Sequence, residues 1–297
     1  MSLQMILPTA VNAVLPTETV VPALWQMLPT VFTQSPKFEM NDTIVVAFSN
    51  QKGGVGKSTF TVLLASYLYY VKGVNVAILD CDSPQHSLDT ERKRELSDVE
   101  HSPHLSEMAG ELTAKCGKQP YAIVPVKLEE AVDYMKLYLE SEDRPRILFL
   151  DLPGTMNNIH VVRVISNCDY VFCPMAADKY EIESTIGYCN YIREQIITGG
   201  QNNLKEVYIL WNKIDARERT ELYHEYDDFL ELLNIEPLKT SIPSSVRFKK
   251  SLSVNPQKLV FRSTLFPPDK SLLRGSNVEQ LADEITSIIG VKYGEED

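Results

Sequence analysis

Residues 49–59, SNQKGGVGKST, restrict the fold of this chain more than any other part of its sequence. They follow an apolar, β-rich run at 43–49 and precede a helical pattern at 57–71. A glycine-rich turn between a strand and a helix directs backbone N–H groups and the helix N-terminus at one point, which favours an anion there. The stretch therefore predicts a phosphate-binding loop at the edge of an α/β sheet.

The loop departs at one position from the common phosphate-binding pattern G-x-x-x-x-G-K-[ST]. Gln51 stands where the first glycine is expected, although the last three positions match. We expect Lys57 to reach the β- and γ-phosphates of a nucleotide, Ser58 to ligate Mg²⁺ and Thr59 to bond the α-phosphate. The glycines let the backbone approach phosphate oxygens closely. The predicted nucleotide-binding backbone is that of Gly53, Gly54, Val55 and Gly56.

The alternative for this stretch is a simple glycine turn before a helix. The agreement of spacing, strand and helix disfavours that alternative. Beyond the loop, apolar runs alternate with helical patterns, which predicts an α/β fold with a mostly parallel central sheet and helices on both faces. The predicted strands are 75–82, 121–126, 146–153, 170–175 and 206–212, and the predicted helices are 128–141, 180–197 and 278–289. Residues 86–118 are polar and predict an inserted helical excursion.

Composition narrows the class of protein further. The five cysteines are odd in number and form no C-x-x-C pair, which indicates a reduced cytoplasmic protein without a disulfide framework. No apolar run is long enough to cross a bilayer. The net charge of -11 means that any binding to nucleic acid needs a local basic patch.

The two ends of the chain differ from its middle. Residues 1–39 hold five prolines about seven apart, and prolines break helices, so we expect an irregular or disordered leader over 1–42. A leader that packs on the domain is the alternative, and Met40 is a candidate natural start. We assign 43–290 to one domain that contains the predicted phosphate-binding loop, and 291–297 to an acidic tail.

Lys52 gives the loop a second lysine. The resulting pattern K-G-G-x-G-K-[ST] resembles the deviant Walker A motif of the ParA/MinD family of P-loop ATPases, and the resemblance covers roughly residues 43–290. In that family the extra lysine reaches across a dimer interface and neutralises charge on the partner's transferred phosphoryl group. The resemblance thus implies ATP hydrolysis, catalytic roles for Lys52 and Lys57, and a homodimer that forms on ATP. A merely solvated Lys52 is the alternative.

The same resemblance extends to three acids. The stretch LDCDSPQ at 79–85 is similar to the family pattern D-x-D-P-Q, with Ser83 inserted. It implies that Asp82 orients the attacking water and that Asp80 supports the Mg²⁺ shell. Asp151, at the end of ILFLDLPG, is similar to a Walker B acid that holds a Mg²⁺-bound water. Two acids that only cap a loop are the alternative for Asp80 and Asp82.

Two later stretches bear on the base of the nucleotide. WNKID at 211–215 matches N-K-x-D, which reads guanine in GTPases, whereas in the ParA/MinD family an Asn here contacts adenine. We therefore expect Asn212 to bind ATP, with GTP as the alternative. The segment SIPSSVRFKKS resembles the family segment that closes over the base, which implies a nucleotide-binding position for Pro243.

Residues 244–274 carry the main local excess of positive charge. They predict non-specific DNA binding, with an ordinary solvated face as the alternative. The basic residues are Arg247, Lys249, Lys250, Lys258, Arg262, Lys270 and Arg274, against Asp269 alone.

The resemblance implies a ParA-type switch whose hydrolysis is slow without a stimulating partner protein. The stretches SYLYYVKGVNVAILDCDSPQHS and ERKRE are similar to ParA-type proteins of conjugative transposons (TraA-like proteins), so partition and conjugative transfer both stay open. A MinD-like membrane or scaffold ATPase is the alternative function. It needs a basic amphipathic C-terminal helix, and the actual C-terminus is acidic.

Overall fold

The computed structural model describes residues 43–117, 119–155, 158–200, 202–215, 226, 230–231 and 233–293. Within these ranges, seven strands form one parallel sheet in the order β3-β2-β4-β1-β5-β6-β7. The strands are β1 (Ile44–Phe48), β2 (Val76–Asp80), β3 (Ala122–Pro125), β4 (Ile147–Asp151), β5 (Tyr170–Met175), β6 (Glu206–Trp211) and β7 (Glu236–Pro237). The predicted fold class, a parallel sheet flanked by helices, is confirmed.

Helices connect the strands and cover both faces of the sheet. They are α1 (Lys57–Tyr70), α2 (Ser87–His101), α3 (Pro103–Cys116), α4 (Ala131–Glu140), α5 (Ile159–Ser166), α6 (Lys179–Tyr191), α7 (Lys270–Leu273) and α8 (Val278–Ile289). A π-helical turn, Ile192–Ile197, extends α6, and a 3-10 turn spans Val246–Lys249. No helix in the described ranges is long and apolar enough to span a membrane.

Alternation along each strand produces two cores, one on each face of the sheet. On β1, Val45 and Ala47 belong to the core that α4, α5 and α6 cover. Val46 and Phe48 point the other way, into the core that α1 and α8 cover. Because both faces are buried, the central strands are continuous apolar runs, as the sequence predicted.

The register brings three chain segments together at one edge of the sheet. Asp151, the last residue of β4, lies opposite Phe48 at the end of β1 and opposite Asp80 at the end of β2. The connections that follow these strands therefore meet above their carboxyl ends, the usual position for ligand binding in open α/β sheets.

Residues 86–118 form two helices, α2 and α3, as the expected excursion. A buried carboxylate and an arginine tie α2 to residues far along the chain: Glu95 Oε2 accepts from the Thr264 backbone N–H at 2.8 Å, and Arg92 donates to the Tyr121 carbonyl at 2.9 Å. The sequence did not predict α5, α7 or β7. The expected leader, 1–42, and the end of the expected tail, 294–297, lie outside the described residues.

Candidate active site

The phosphate-binding loop adopts a conformation that requires glycine at two positions. Gly54 has φ 76° and Gly56 has φ 107°, both in the left-handed region that other residues avoid. A Cβ on Gly56 would lie 3.0 Å from Asn212 Nδ2 and 3.0 Å from Phe60 Cε2. Gly56 directly precedes α1, so the loop and the helix N-terminus face the same space.

The first half of the loop is bound to α6. The Asn50 side chain donates to the Pro174 carbonyl at 2.9 Å and to Thr185 Oγ1 at 2.8 Å. Gln51 Nε2 donates to the Ser184 carbonyl at 2.9 Å. Gln51, which replaces the glycine of the common pattern, therefore fixes the loop to the helix that follows β5. The loop pattern identified Gln51 as unusual, but it did not predict that Gln51 bonds to Ser184.

The second half of the loop is held from the opposite side, by the WNKID stretch. Asn212 Nδ2 donates to the Val55 carbonyl at 2.8 Å, and Lys213 Nζ donates to the Gly54 carbonyl at 2.9 Å. Asn212 Oδ1 accepts from the Lys213 backbone N–H at 2.8 Å. Both polar atoms of the Asn212 amide thus have protein partners, and the side chain braces the loop beside the space for a base.

The two lysines of the loop lie in different surroundings. Lys57 is buried, and its Nζ donates to the Lys52 carbonyl at 2.9 Å. Burial lowers the pKa of Lys57, while the nearby Asp151 and Asp82 raise it. The Lys52 side chain is exposed. The structure therefore separates an inward lysine at the anion site from an outward lysine on the surface.

Asp151 is paired at one oxygen only. Ser58 Oγ donates to Asp151 Oδ1 at 3.0 Å, whereas the buried Oδ2 has no hydrogen-bond partner within the described residues. Burial raises the pKa of Asp151 to about 7, with Asp80 and Asp82 adding to the rise and Ser58 and Lys57 opposing it. An unpartnered carboxylate oxygen beside a hydroxyl is a donor set that suits Mg²⁺, which favours oxygen ligands.

The two acids after β2 have different environments. Asp80 is buried, and its Oδ2 accepts from the backbone N–H groups of Leu88 at 2.9 Å and Asp89 at 3.0 Å, at the start of α2. Burial raises the pKa of Asp80, and these backbone hydrogen bonds oppose the rise. Asp82 is half-buried and lies close enough to Asp151 to raise its pKa. The structure brings all three acids to one side of the loop.

A cavity of about 560 Å³ lies beside the loop, on the side away from the acids. Its lining includes the predicted Thr59, Asn212 and Pro243. It also includes Phe248, from the stretch SIPSSVRFKKS, and Arg262, which the sequence assigns to the basic segment instead. A parallel bridge between Ile214 and Pro243 holds the 243–245 segment next to the end of β6. The volume and partly apolar lining suit a nucleoside.

The basic segment divides into inward and outward residues. Arg247 donates to the carbonyls of Leu272 and Arg274, each at 2.8 Å. Arg262 donates to Glu91 Oε1 at 2.9 Å. The side chains of Lys249, Lys250, Lys258, Lys270 and Arg274 are exposed. The predicted patch is therefore smaller than the sequence indicated, because two of its arginines serve the fold.

One known protein family matches most of the chain. The model for the CobQ/CobB/MinD/ParA nucleotide binding domain matches residues 46–256. A curated relative, protein ParA of Rhizobium radiobacter, is 29% identical over 143 residues, which are 48% of this chain and 52% of the relative. The match thus spans about half the length of that relative.

Solved structures resemble the fold at low sequence identity. The cell division ATPase MinD of Pyrococcus furiosus superposes with TM-score 0.52 and 14% identity, covering 83% of this chain and 99% of that one. A Cyanothece McdA–ATP complex gives TM-score 0.53 and 14% identity over 86% and 100% of the two chains. A putative plasmid partition protein of Borrelia burgdorferi B31 bound to AMPPNP gives 0.51 and 15% over 80% and 97%. At these identities the likeness concerns the fold.

Proposed function

Because the chain belongs to the CobQ/CobB/MinD/ParA nucleotide-binding domain family, we propose that it is an ATP-dependent dimerising switch of the ParA type. It hydrolyses ATP to ADP and phosphate and binds DNA without sequence preference in its ATP state. Its working compartment is the cytoplasm, and its biological task is partition or conjugative transfer of a mobile element. A partner protein stimulates its slow hydrolysis.

The observation that carries this proposal is the pairing of Ser58 with Asp151 next to the inward Lys57. Ser58 and Asp151 would hold Mg²⁺, and Asp80 would support its water shell from the adjacent strand end. The metal supplies positive charge to the β- and γ-phosphates. Because a cation would favour the ionised carboxylate, binding of Mg²⁺ offsets the burial that raises the pKa of Asp151.

The remaining side chains divide the chemistry between binding and transfer. Lys57 and the N–H groups of residues 53–59 bind the phosphates. The hydrogen bond from Lys57 Nζ to the Lys52 carbonyl holds the ammonium group in position. Asp82, half-buried beside Asp151, orients the attacking water. Lys52, exposed on the loop surface, reaches the nucleotide of a second subunit, where its charge stabilises the transferred phosphoryl group.

The base occupies the cavity of about 560 Å³ that Asn212 and Pro243 line. We propose adenine in this cavity, since the similar MinD of Pyrococcus furiosus is a cell division ATPase and the similar Cyanothece McdA is a complex with ATP. A membrane-positioning role has less support: the apolar face of α8, with Leu281, Ile285 and Ile289, is buried in the core and is therefore occupied.

Nucleotide titration of the Lys57→Ala variant tests the proposal. Calorimetry with Mg²⁺ and ATP, and separately with GTP, should show ATP binding to the parent and a loss of affinity of at least about a hundredfold in the variant, since a charge-assisted contact is removed from a buried site. Lys292→Ala is the matched control, because Lys292 is exposed and adjoins Tyr293, whose ring contacts Lys72 beyond the C-terminal end of α1, away from the loop. Equal ATP affinity in parent and Lys57→Ala would refute the site, and preference for GTP would refute the adenine assignment.

A further inference from the structure

A second cavity, of about 520 Å³, lies between α3 and the segment 253–270. We call it the α3 groove. Its floor is apolar and is formed by Leu105, Met108 and Leu112 of α3 together with Val260 and Phe266. These residues belong to a small hydrophobic cluster that is separate from the two cores of the sheet. The volume falls in the range of sites that accept a few side chains of a ligand.

The rim of the α3 groove combines exposed apolar and basic side chains. Leu259 lines the groove and keeps 45% of its surface exposed. Lys115, Lys258 and Lys270 are exposed along the same lining. Among the acids of the lining, Asp269 already accepts from the Ser271 backbone N–H and hydroxyl, at 2.8 and 2.5 Å. Hydrogen bonds from neutral donors leave the charge of Asp269 in place, so the rim carries three lysines against two acids, Glu111 and Asp269, an excess of one positive charge.

The segment that lines the α3 groove also lines the nucleotide cavity. Val260 and Phe266 face the groove, while Arg262, between them, faces the nucleotide cavity. Arg262 is fixed by Glu91 of α2 at 2.9 Å, and Thr264 by Glu95 of α2 at 2.8 Å. A ligand that shifts this short segment would therefore displace a side chain of the nucleotide cavity, which is a direct route for coupling.

We propose that the α3 groove docks an acidic, partly apolar segment of a partner protein. The apolar floor and Leu259 accept its apolar side chains, and the three lysines accept its carboxylates. Duplex DNA can pair with the rim lysines but offers no apolar side chains to the floor, and a basic segment is repelled by the rim, so neither fills the groove. The coupling of this docking to nucleotide through Arg262 rests on the proposed function; the docking itself does not.

Selection of peptides on the purified full-length chain tests the docking in the absence of nucleotide. The probe is a random peptide library displayed on phage, followed by fluorescence titration of the synthetic consensus peptide. We expect a consensus with acidic residues flanking apolar ones. Leu259→Asn should weaken the peptide by about tenfold, since an apolar contact is lost without any change of charge. Lys258→Gln should also weaken it, more so at low salt.

Leu137→Asn is the matched control, because Leu137 is 62% exposed on α4 and lies outside the groove lining. The docking is overturned if no consensus emerges, if the consensus is basic, or if Leu259→Asn binds the peptide as the parent does. A peptide that responds to Lys258→Gln alone would identify a simple anion contact and also overturns it. Equal peptide affinity with and without ATP, in a protein shown to bind ATP, overturns the coupling alone.

Discussion

At the residue scale, two lysines five positions apart differ because the loop turns one inward and leaves the other outside. Lys57 is buried with its Nζ on the Lys52 carbonyl, and the Lys52 side chain is exposed. The motif predicted both lysines, and the sequence could not separate their environments, since burial depends on the neighbouring strands. Gly154 shows how tight the inner environment is: a Cβ there would lie 3.1 Å from Lys57 Nζ.

Lys52→Ala should therefore keep ATP affinity and lose dimerisation and turnover. The hydrogen bond from Lys57 is accepted by the Lys52 backbone carbonyl, which the variant keeps. Removal of the exposed Lys52 side chain should therefore leave the phosphate site of its own subunit intact. Light scattering with a slowly hydrolysed ATP analogue measures the dimer, and phosphate release measures turnover. Lys292→Ala, at an exposed lysine beyond the end of α8, is the control. Parent-like turnover of Lys52→Ala would mean that this lysine is only solvated.

Asp151 predicts a pH dependence of stability. Burial raises its pKa to about 7 in the folded chain, from 3.8 for a freely solvated carboxyl. Between these values the folded state holds a proton that the unfolded state has lost, so the free energy of unfolding decreases as pH rises from about 4 to about 7. Asp151→Asn should remove this slope and raise the Tm of the metal-free, nucleotide-free protein at pH 8 by several degrees.

Calorimetric melting from pH 5 to pH 8 in a chelator checks this prediction. Asp143→Asn is the control, because Asp143 is exposed. A Tm for Asp151→Asn that follows the parent at every pH would show that the carboxyl is not held in a buried, uncompensated state. The same variant should lose Mg²⁺-dependent turnover, since it also loses a ligand charge.

At the scale of elements, the sequence predicted the parts whose pattern is local. The apolar strands and the loop before α1 follow from neighbouring residues, and the structure has strands and a helix at these places. The docking of α2 depends on contacts such as Glu95 with Thr264, which are 169 positions apart, and no local pattern encodes such a pair. The two-residue β7 and four-residue α7 are too short for any periodicity.

The base cavity was only half predicted, for a similar reason. Asn212 and Pro243 were expected from family-like stretches. Phe248 lies in the stretch that contains Pro243, but the sequence does not distinguish it from its neighbours, because its position depends on the 3-10 turn Val246–Lys249. Its ring is edge-on to Phe60, at 6.4 Å between centroids, and to Phe261, at 5.2 Å. Both polar atoms of the Asn212 amide already have protein partners. We therefore expect the aromatic ring of Phe248 to contribute to holding the base in the proposed site.

Phe248→Ala should weaken ATP by about tenfold and leave inorganic triphosphate unaffected, since stacking acts on the base and not on the phosphates. Competition titrations with both ligands measure the ratio of their affinities. Val246→Ala is the matched control, because Val246 lies in the same turn and is 76% exposed. Equal weakening of ATP and triphosphate in Phe248→Ala would indicate a disturbed loop, and an unchanged ATP affinity would remove the ring from the base site.

At the scale of the whole molecule, a negative net charge opposes the local positive charge of the 244–274 segment in any binding to DNA. The chain carries -11, which repels a duplex at long range. The exposed lysines of the 244–274 segment oppose this locally, while Arg247 and Arg262 hold backbone and carboxylate groups of the chain itself. We therefore expect the proposed DNA binding to be weak for one subunit and stronger for the proposed dimer, through the second contact.

The last prediction concerns this patch. Lys250→Glu, Lys258→Glu and Lys270→Glu together should abolish DNA binding and leave ATP affinity unchanged, because these side chains are exposed and lie outside the lining of the nucleotide cavity. Lys249 is left intact since it lines that cavity, and Arg247 since it ties the turn to residues 272 and 274.

In the parent, each neutralised phosphate releases counterions, so affinity for DNA should fall by orders of magnitude between low and moderate salt. Gel shifts on two unrelated duplexes, at low and moderate salt and with ATP, ADP or a slowly hydrolysed analogue, measure how DNA binding depends on sequence, salt and nucleotide. Lys127→Glu with Lys292→Glu, which makes the net charge more negative without touching the patch, is the control for long-range repulsion. If ADP supports binding as well as ATP does, DNA binding is not controlled by the nucleotide, and a protein-scaffold role becomes the better explanation of the switch. If the triple variant binds like the parent, the DNA contact lies outside this patch.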